Sequence, residues 1–428
     1  MADSRPAGIG AAIAAATQEA RRSLLREHKG GAAPVSYLEL FFDLVYVFAV
    51  TQLSHFLLGH LTPVGLVQSG ILFLALWWAW MFTTWATNWA DPQRVPVRIM
   101  LILAMLASLI MAVALPHAFD KDGLVFAASY VALQIGRTLF MAVIMRRPDP
   151  INAHSMVRIA VWFAVSGAAW IGGAMSGDSA TRLALWALAL GLEYSGPLAG
   201  FFVPGLGSSK AGEWNISGTH MAERCSLFII IALGEGIVVT GGTFAAGPAT
   251  DARIAGLAIA FACSVTMWWI YFDVGAERGV RHIEHHDDPG RVARNAYTYL
   301  HMPIVLGIVV VAVADALLLD APHAPASPAL IATLCGGALA FLVGTGLFKR
   351  YSSKRGNFPF SHTLGAIGFV LLIALGWFAP PSTLVYGALS AAILAFVALW
   401  EWGSYHGGWE VWFPRLGNRL GWPERPAG

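Results

Sequence analysis

The residues to explain first are acids standing in stretches otherwise built to exclude water. Glu39 and Asp43 lie four apart in Val35-Ser-Tyr-Leu-Glu-Leu-Phe-Phe-Asp-Leu-Val-Tyr-Val-Phe-Ala-Val-Thr-Gln-Leu53. On a helix that spacing puts both on one face. A charge facing lipid at the membrane centre costs ~2.5 kcal/mol or more, so the face should turn inward. A second stretch, Met221-Ala-Glu-Arg-Cys-Ser-Leu-Phe-Ile-Ile-Ile-Ala-Leu-Gly-Glu-Gly-Ile, opens with Glu223 and Arg224 and carries Glu235 deeper in. At 1.5 Å per residue Glu235 lies about 18 Å past Glu223, near a bilayer midplane. Gly234 and Gly236 flank it, permitting close helix approach or a local break. The chemistry this suits is a proton or cation site. The bland alternative is a protonated acid hydrogen-bonded for packing.

Three further groups belong with these. Arg137 is about as deep in its own apolar run and requires a carboxylate or backbone partner; Glu39, Asp43, Glu193 and Glu235 are the candidates. It serves equally as a structural ion pair or as a cation for an anionic group. Glu193 precedes Ser195-Gly-Pro197, where a helix is open to interruption. His301, in Tyr297-Thr-Tyr-Leu-His301, suits a proton relay or a satisfied structural histidine. His55, Asp273, Asp315 and His362 stand nearer the expected span ends, where solvation accounts for them.

Other chemistries find no residues to carry them. Cys225, Cys263 and Cys335 fall in apolar runs without paired spacing, giving neither a disulfide framework nor a zinc pattern. Arg281-His-Ile-Glu-His-His-Asp-Asp288 fits no metal motif and reads as a solvated loop, so no metal and no cofactor are expected. There is no phosphate loop, no Gly-x-Ser-x-Gly elbow and no potassium-filter sequence. No lysine is expected deep in a span, which argues against a retinal Schiff base.

The elements that must position these groups follow from composition. Of 428 residues 57% are hydrophobic and 12% charged, half the charge of an ordinary soluble domain. The chain reads as an all-α polytopic membrane protein. Twelve apolar runs are long enough to be spans: roughly 37–58, 66–89, 98–117, 124–145, 157–176, 181–203, 222–243, 253–274, 296–318, 329–348, 362–379 and 383–402. Breaks such as Asp91-Pro92, Arg146-Arg-Pro-Asp-Pro150 and Lys349-Arg350 separate them. Trp77, Trp78, Trp80, Trp85 and Trp89 suit an interfacial belt.

Charge orients the spans. With the N-terminus cytoplasmic, all but four of the 27 Lys and Arg fall on cytoplasmic segments. The exceptions are Lys121, Arg182 and Arg253 on outer loops and Arg137 inside span four. That is the positive-inside pattern, and it puts both termini in the cytoplasm. An Ala-rich start followed by Arg21, Arg22, Arg26 and Lys29 reverses the order of a signal peptide.

The halves resemble one another. Leu40-Phe-Phe pairs with Ser226-Leu-Phe-Ile, Trp77-Trp78 with Trp268-Trp269, Arg146-Arg147 with Lys349-Arg350, and Ala169-Trp170 with Gly376-Trp377. The expected organisation is a cytoplasmic tail (1–34), a first six-helix repeat (35–204), a cytoplasmic linker (205–221), a second repeat (222–403) and a cytoplasmic tail (404–428). Six spans being even, the repeats would run parallel.

The stretches Ser36-Tyr-Leu-Glu-Leu-Phe-Phe-Asp-Leu and Ala222-Glu-Arg-Cys-Ser-Leu-Phe-Ile-Ile-Ile-Ala-Leu-Gly-Glu-Gly resemble the bacterial low temperature requirement A family over residues ~35–405. Tyr297-Thr-Tyr-Leu-His301 is similar to it as well. The resemblance implies an integral membrane protein with no assigned activity and no known cofactor. It carries over to Glu39, Asp43, Glu223, Arg224, Glu235 and His301; Gly236 stands where the family has Ser. A slighter likeness, through Phe41-Phe-Asp43 and a six-plus-six arrangement, is to the endolysosomal potassium channel family. Ile229 stands where Asp43 would align in the second copy.

The expected function is a secondary transporter of a small solute or ion in the bacterial inner membrane, with proton coupling through titration of Glu235, Glu39 and Asp43. The rivals are an ion channel and an intramembrane enzyme acting on a lipid or quinone at His301 and Glu39. The partners expected are the lipid bilayer, an unidentified small molecule or ion, and a second copy of the chain; nucleic acid is not among them.

Overall fold

The computed structural model describes residues 24–26, 34–210, 214, 216–353 and 356–405. Most of both expected tails, and residues 211–213 and 215 of the expected linker, lie outside them. Among the described residues the chain is helical, with isolated β-bridges in place of strands.

The first half holds α1 (Tyr37–Gly59), α2 (Pro63–Trp89), α3 (Val95–Ala114), α4 (Gly123–Met145), α5 (Pro150–Met175) and α6 (Ser179–Ser195). The second holds α7 (Gly218–Ala245), α8 (Asp251–Tyr271), α9 (His301–Asp320), α10 (Pro328–Tyr351), α11 (Phe360–Phe378) and α12 (Thr383–Tyr405). Among the described residues eleven helices are long and apolar enough to cross a membrane, α9 being counted with its lead-in from Pro289. The expected sixth span, 181–203, is the exception. Its helix has 17 residues, about 25 Å, short of a ~30 Å hydrocarbon core. The protein is thus an α-helical polytopic membrane protein with eleven full-length candidate spans among the described residues.

Sequence chemistry sets many boundaries. Asp149 caps α5 through Asn152 N, with Pro150 in the first turn, where its missing N–H costs nothing. Ser327 and Pro328 repeat the device on α10. Ser36 and Glu39 form a capping box on α1. Ser36 Oγ accepts from Glu39 N at 3.3 Å, and Glu39 Oε2 accepts from Ser36 N at 2.8 Å.

The helices bury polar and charged groups within a largely apolar core, and many of their outward faces are apolar as well. On α3, Ile99, Leu103, Leu106, Ile110 and Val113 are exposed, a face suited to lipid. Several expectations change accordingly. The tryptophans from Trp77 to Trp89 are core, not an interfacial belt. Trp77, Trp78 and Trp80 are no more than 2% exposed, and the Trp77 N–H donates to Thr298 O at 2.9 Å. Asp315 and His362, expected near solvent, are buried. Lys349 is not in a break but inside α10, buried, donating to Ile270 O at 2.7 Å and to Glu401.

Two compact units emerge from the packing of the described residues: those up to 45 with those of 78–220, and 46–77 with those from 221 on. The boundary passes through α1 and α2, so the second unit takes residues 46–77 in addition to its own half of the chain.

Candidate functional site

In the first unit Glu39 and Asp43 occupy consecutive turns of α1, both fully buried. Glu39 has a full set of partners beyond its capping role. Oε2 accepts from Arg26 Nη2 at 2.9 Å and Ser36 Oγ at 2.8 Å; Oε1 meets His220 Nε2 at 2.8 Å. The histidine's proton can be placed. Asn88 is oriented by Ser217, whose N–H donates to Oδ1 at 2.8 Å and whose C=O accepts from Nδ2 at 2.9 Å. Nδ2 therefore faces His220 Nδ1 as a donor, at 3.2 Å. Nδ1 accepts, and the ring proton sits on Nε2, aimed at Glu39. Asp43 Oδ1 accepts from the Trp80 indole at 2.8 Å.

One turn of α2 serves both Asp43 and Arg137. Arg137 Nη1 donates to Ala79 O at 3.2 Å and Thr83 Oγ1 at 3.0 Å, and Nη2 donates to Gln134 Oε1. The relay continues. Gln134 Nε2 donates to Tyr130 OH at 3.0 Å, and Tyr130 OH donates to Glu193 Oε2. Ser166 Oγ and Trp170 Nε1 complete the Glu193 carboxylate on Oε1, at 2.8 and 2.9 Å. Arg137 and Glu193, two of the expected site residues, are thus the ends of one buried hydrogen-bonded chain.

Glu193 stands two residues before α6 ends. Residues 196–209 then run on as irregular backbone, with positive φ at Gly200, Phe201, Gly205 and Gly207. This segment lies alongside the first half of α5. Phe202 O accepts from Trp162 Nε1 at 3.1 Å, Leu206 O from Arg158 Nη1 at 3.0 Å, and Ser209 Oγ from Arg158 Nη2 at 2.8 Å. Trp162 is about 18 Å into α5. Irregular backbone at that depth is tolerated where protein groups satisfy its carbonyls, and Arg158 and Trp162 do so here.

In the second unit Glu235 is 1% exposed. Thr51 Oγ1 donates to its Oε2 at 2.6 Å, while Oε1 has no hydrogen-bond partner among the described residues. Thr51 also reaches Val47 O, at 3.0 Å. A Cβ placed on Gly236 would lie 3.5 Å from Ala312 Cβ and 3.9 Å from Ser264 Oγ, ordinary contact distances that put this part of α7 beside α8 and α9. Helix α1 therefore meets α7 through Glu39–His220 in the first unit and through Thr51–Glu235 in the second. On α7, Arg224 is buried and Glu223 exposed.

His301 is satisfied on both ring nitrogens. Nδ1 lies 2.8 Å from Ala296 O and must donate; Nε2 then accepts from Tyr271 OH at 2.8 Å. The preceding residues, Ala293–Tyr299, form a π-helical turn whose displaced carbonyls are taken up by His301 and Trp77. A polar helix, Glu277–Glu284, precedes it. There, partial burial and the neighbouring His286 hold His282 below the ordinary histidine range.

Two further buried groups stand apart from the expected site residues. One is Asp315, buried in α9 with Oδ1 unpartnered among the described residues. The other is a cluster on the last three helices: Glu401 pairs with Lys349, lies 3.5 Å from His362 Nδ1, and His362 Nε2 meets Thr345 Oγ1 at 3.1 Å. An ionisable residue inside an apolar run was the available signal for each.

Buried charge on membrane-length helices, with lipid-facing apolar exteriors, defines an integral membrane protein whose polar groups face its own interior. The chain belongs to the bacterial low temperature requirement A protein family, whose family model matches residues 34–399. It is 38% identical over 381 residues to an uncharacterized protein of Rhizobium meliloti (strain 1021), covering 88% of this chain and 91% of that one. No solved structure matches it.

Proposed function

We propose that this protein is a secondary transporter of the bacterial inner membrane, coupling the movement of a small solute or ion to protons taken up at Glu235. The observation that carries the reading is the Glu235 carboxylate: buried in a membrane-length helix, one oxygen held by a single hydroxyl, the other without a hydrogen-bond partner among the described residues. A structural carboxylate at such depth is normally closed by donors or a cation, as Glu193 is by three donors. A carboxylate left half-open in an apolar surround gains and loses a proton instead of holding a fixed charge.

Two finer features belong to the same proposal. The distribution of Lys and Arg supports cytoplasmic termini. Two parallel repeats are supported by the last helix of each half. Glu193 on α6 is bonded from α4 and α5; Glu401 on α12 is bonded from α10 and approached from α11.

The test is proton movement in proteoliposomes loaded with a pH dye, with gradients of alkali chlorides, amino acids and sugars imposed in turn. Wild type should move protons in response to at least one of them, and Glu235→Gln should not. Equal flux from both proteins would remove Glu235 from the mechanism.

A further inference from the structure

Asp315 is a buried ionisable group with no part in the proposed coupling at Glu235. It is 2% exposed, about 8 Å in from the end of α9, and its Oδ1 has no partner among the described residues. Its surroundings can be read from the close helix approaches. The start of α12 is tied to the end of α9, with Thr383 N donating to Ala324 O at 2.8 Å and Leu384 N to Pro322 O at 3.0 Å. From that shared end the two helices run antiparallel. They touch at Gly387, where an added Cβ would come within 2.1 Å of Leu318 Cδ1. One turn deeper on each helix lie Asp315 and Ser390. Ser390 is fully buried, and its Oγ also has no partner among the described residues.

Helix α8 closes the same place. Gly256 packs on Leu318 and Leu319, Ile259 approaches Gly387, and Cys263, a turn deeper, is within electrostatic reach of Asp315. Ala312, one turn before Asp315 on α9, packs against Gly236, the residue after Glu235. Two independent orphans, a carboxylate oxygen and a hydroxyl, thus share one buried level between α8, α9 and α12. Glu235 lies within about a turn of that level.

Buried polar atoms are almost always satisfied, so two orphans at one level call for an occupant. The donor set is oxygen, with low total charge, and among the described residues no trio of His, Cys, Asp or Glu converges. Divalent hard cations require more carboxylate than this, and an anion would meet like charge whenever Asp315 is ionised. We infer that Asp315 and Ser390 form a binding site for an alkali-metal cation. The inference deepens the coupling reading by naming the exchanged ion, and rests on that reading for transport but not for binding.

The test is equilibrium binding of ²²Na⁺, and of ⁸⁶Rb⁺ as a potassium surrogate, to purified protein in detergent at constant pH and ionic strength. Wild type should bind one of them saturably, displaced by the unlabelled ion but not by choline. Asp315→Asn should lose binding. Ser390→Ala, a small and uncharged change, should weaken it about tenfold, the loss of one ligand bond worth ~1.4 kcal/mol. If Asp315→Asn fails to yield monodisperse protein, Ser390→Ala decides the matter. Absence of displaceable binding for both ions overturns the inference, as does wild-type affinity in Ser390→Ala or in folded Asp315→Asn. Loss of proton flux in Glu235→Gln with ²²Na⁺ or ⁸⁶Rb⁺ binding absent throughout would leave the coupling reading standing and this one rejected.

Discussion

The Thr51 hydroxyl donates to Glu235 Oε2 at 2.6 Å and simultaneously lies 3.0 Å from the carbonyl of Val47. A hydroxyl has one proton. If it goes to the carboxylate, it is not available to the carbonyl one turn back, and the reverse holds when the carboxyl is protonated and can itself donate. The one hydroxyl therefore has two alternative acceptors, and it sits where α1 meets α7 in the second unit.

Replacing Thr51 by Val removes the hydroxyl while keeping the shape. The variant leaves both Glu235 oxygens without a donor among the described residues. It should lose about 1–3 kcal/mol of stability, the cost of orphaning a buried polar group. Thr51→Ser should stay near wild type. Thermal unfolding in detergent separates the two; matching midpoints for Val and wild type would show that the hydroxyl does not matter.

The chain from Arg137 to Glu193 predicts non-additivity. Tyr130→Phe removes the link that carries Gln134 to Glu193, and Glu193→Gln removes the charge at its end. Members of one buried network couple by roughly 0.5–3 kcal/mol. A double-mutant cycle on unfolding free energy should return a coupling in that range. Additive losses would mean that the two residues act separately despite their contact.

Acid should loosen the start of α6. Asp178 Oδ2 accepts from Thr181 N and from Thr181 Oγ1, both at 2.8 Å, and these bonds hold its carboxyl below the usual aspartate value. The unfolded chain then binds a proton at higher pH than the folded one. The stabilisation is complete above the unfolded value, near 3.8, and fades as pH falls through the lower folded value. Relative to Asp178→Asn, wild type should keep a constant advantage from pH 7 to about 5 and lose it below about 4. Unfolding midpoints across that range would expose the alternative, an offset that ignores pH.

How far the sequence was readable follows from which forces each feature depends on. The long apolar runs were readable because crossing a bilayer is a property of one segment. Ser195-Gly-Pro197 marks the break after Glu193 for the same local reason. Ser36-x-x-Glu39 is a legible capping box, yet Glu39 reads first as a membrane acid, because hydropathy outweighs a three-residue motif. The positions of Asp315, His362 and Lys349 were not readable. Each lies near the end of an apolar run, and its burial is decided by helices distant in sequence: α8 and α12 around Asp315, α12 beside His362, and Ile270 and Glu401 around Lys349. The tryptophans of α2 were misplaced likewise, since an indole suits an interface until a buried acceptor such as Asp43 or Thr298 O is supplied from elsewhere.

Arg182 and Arg253 carry the last prediction. The charge pattern puts them on the loops nearly free of basic residues, where they would pass for surface charges; both are instead buried caps. Arg182 donates from Nη1 to Ala118 O at 3.0 Å and Asp120 O at 2.7 Å, and from Nη2 and Nε to carbonyls closing α5. Arg253 reaches Leu319 O at 2.7 Å near the end of α9, and Thr243 O and Phe244 O, at 2.7 and 3.0 Å, closing α7. Each guanidinium joins orphan carbonyls at two chain segments, favoured further by the negative ends of the helix dipoles. An ammonium cannot spread over the same fork. Arg182→Lys and Arg253→Lys should therefore fall well below wild type and close to the corresponding Ala variants, by ~1.5–3 kcal/mol for each charged bond lost. Chemical or thermal unfolding of the four proteins checks this. Lys variants as stable as wild type would show that positive charge alone, and not the fork, holds these helix ends.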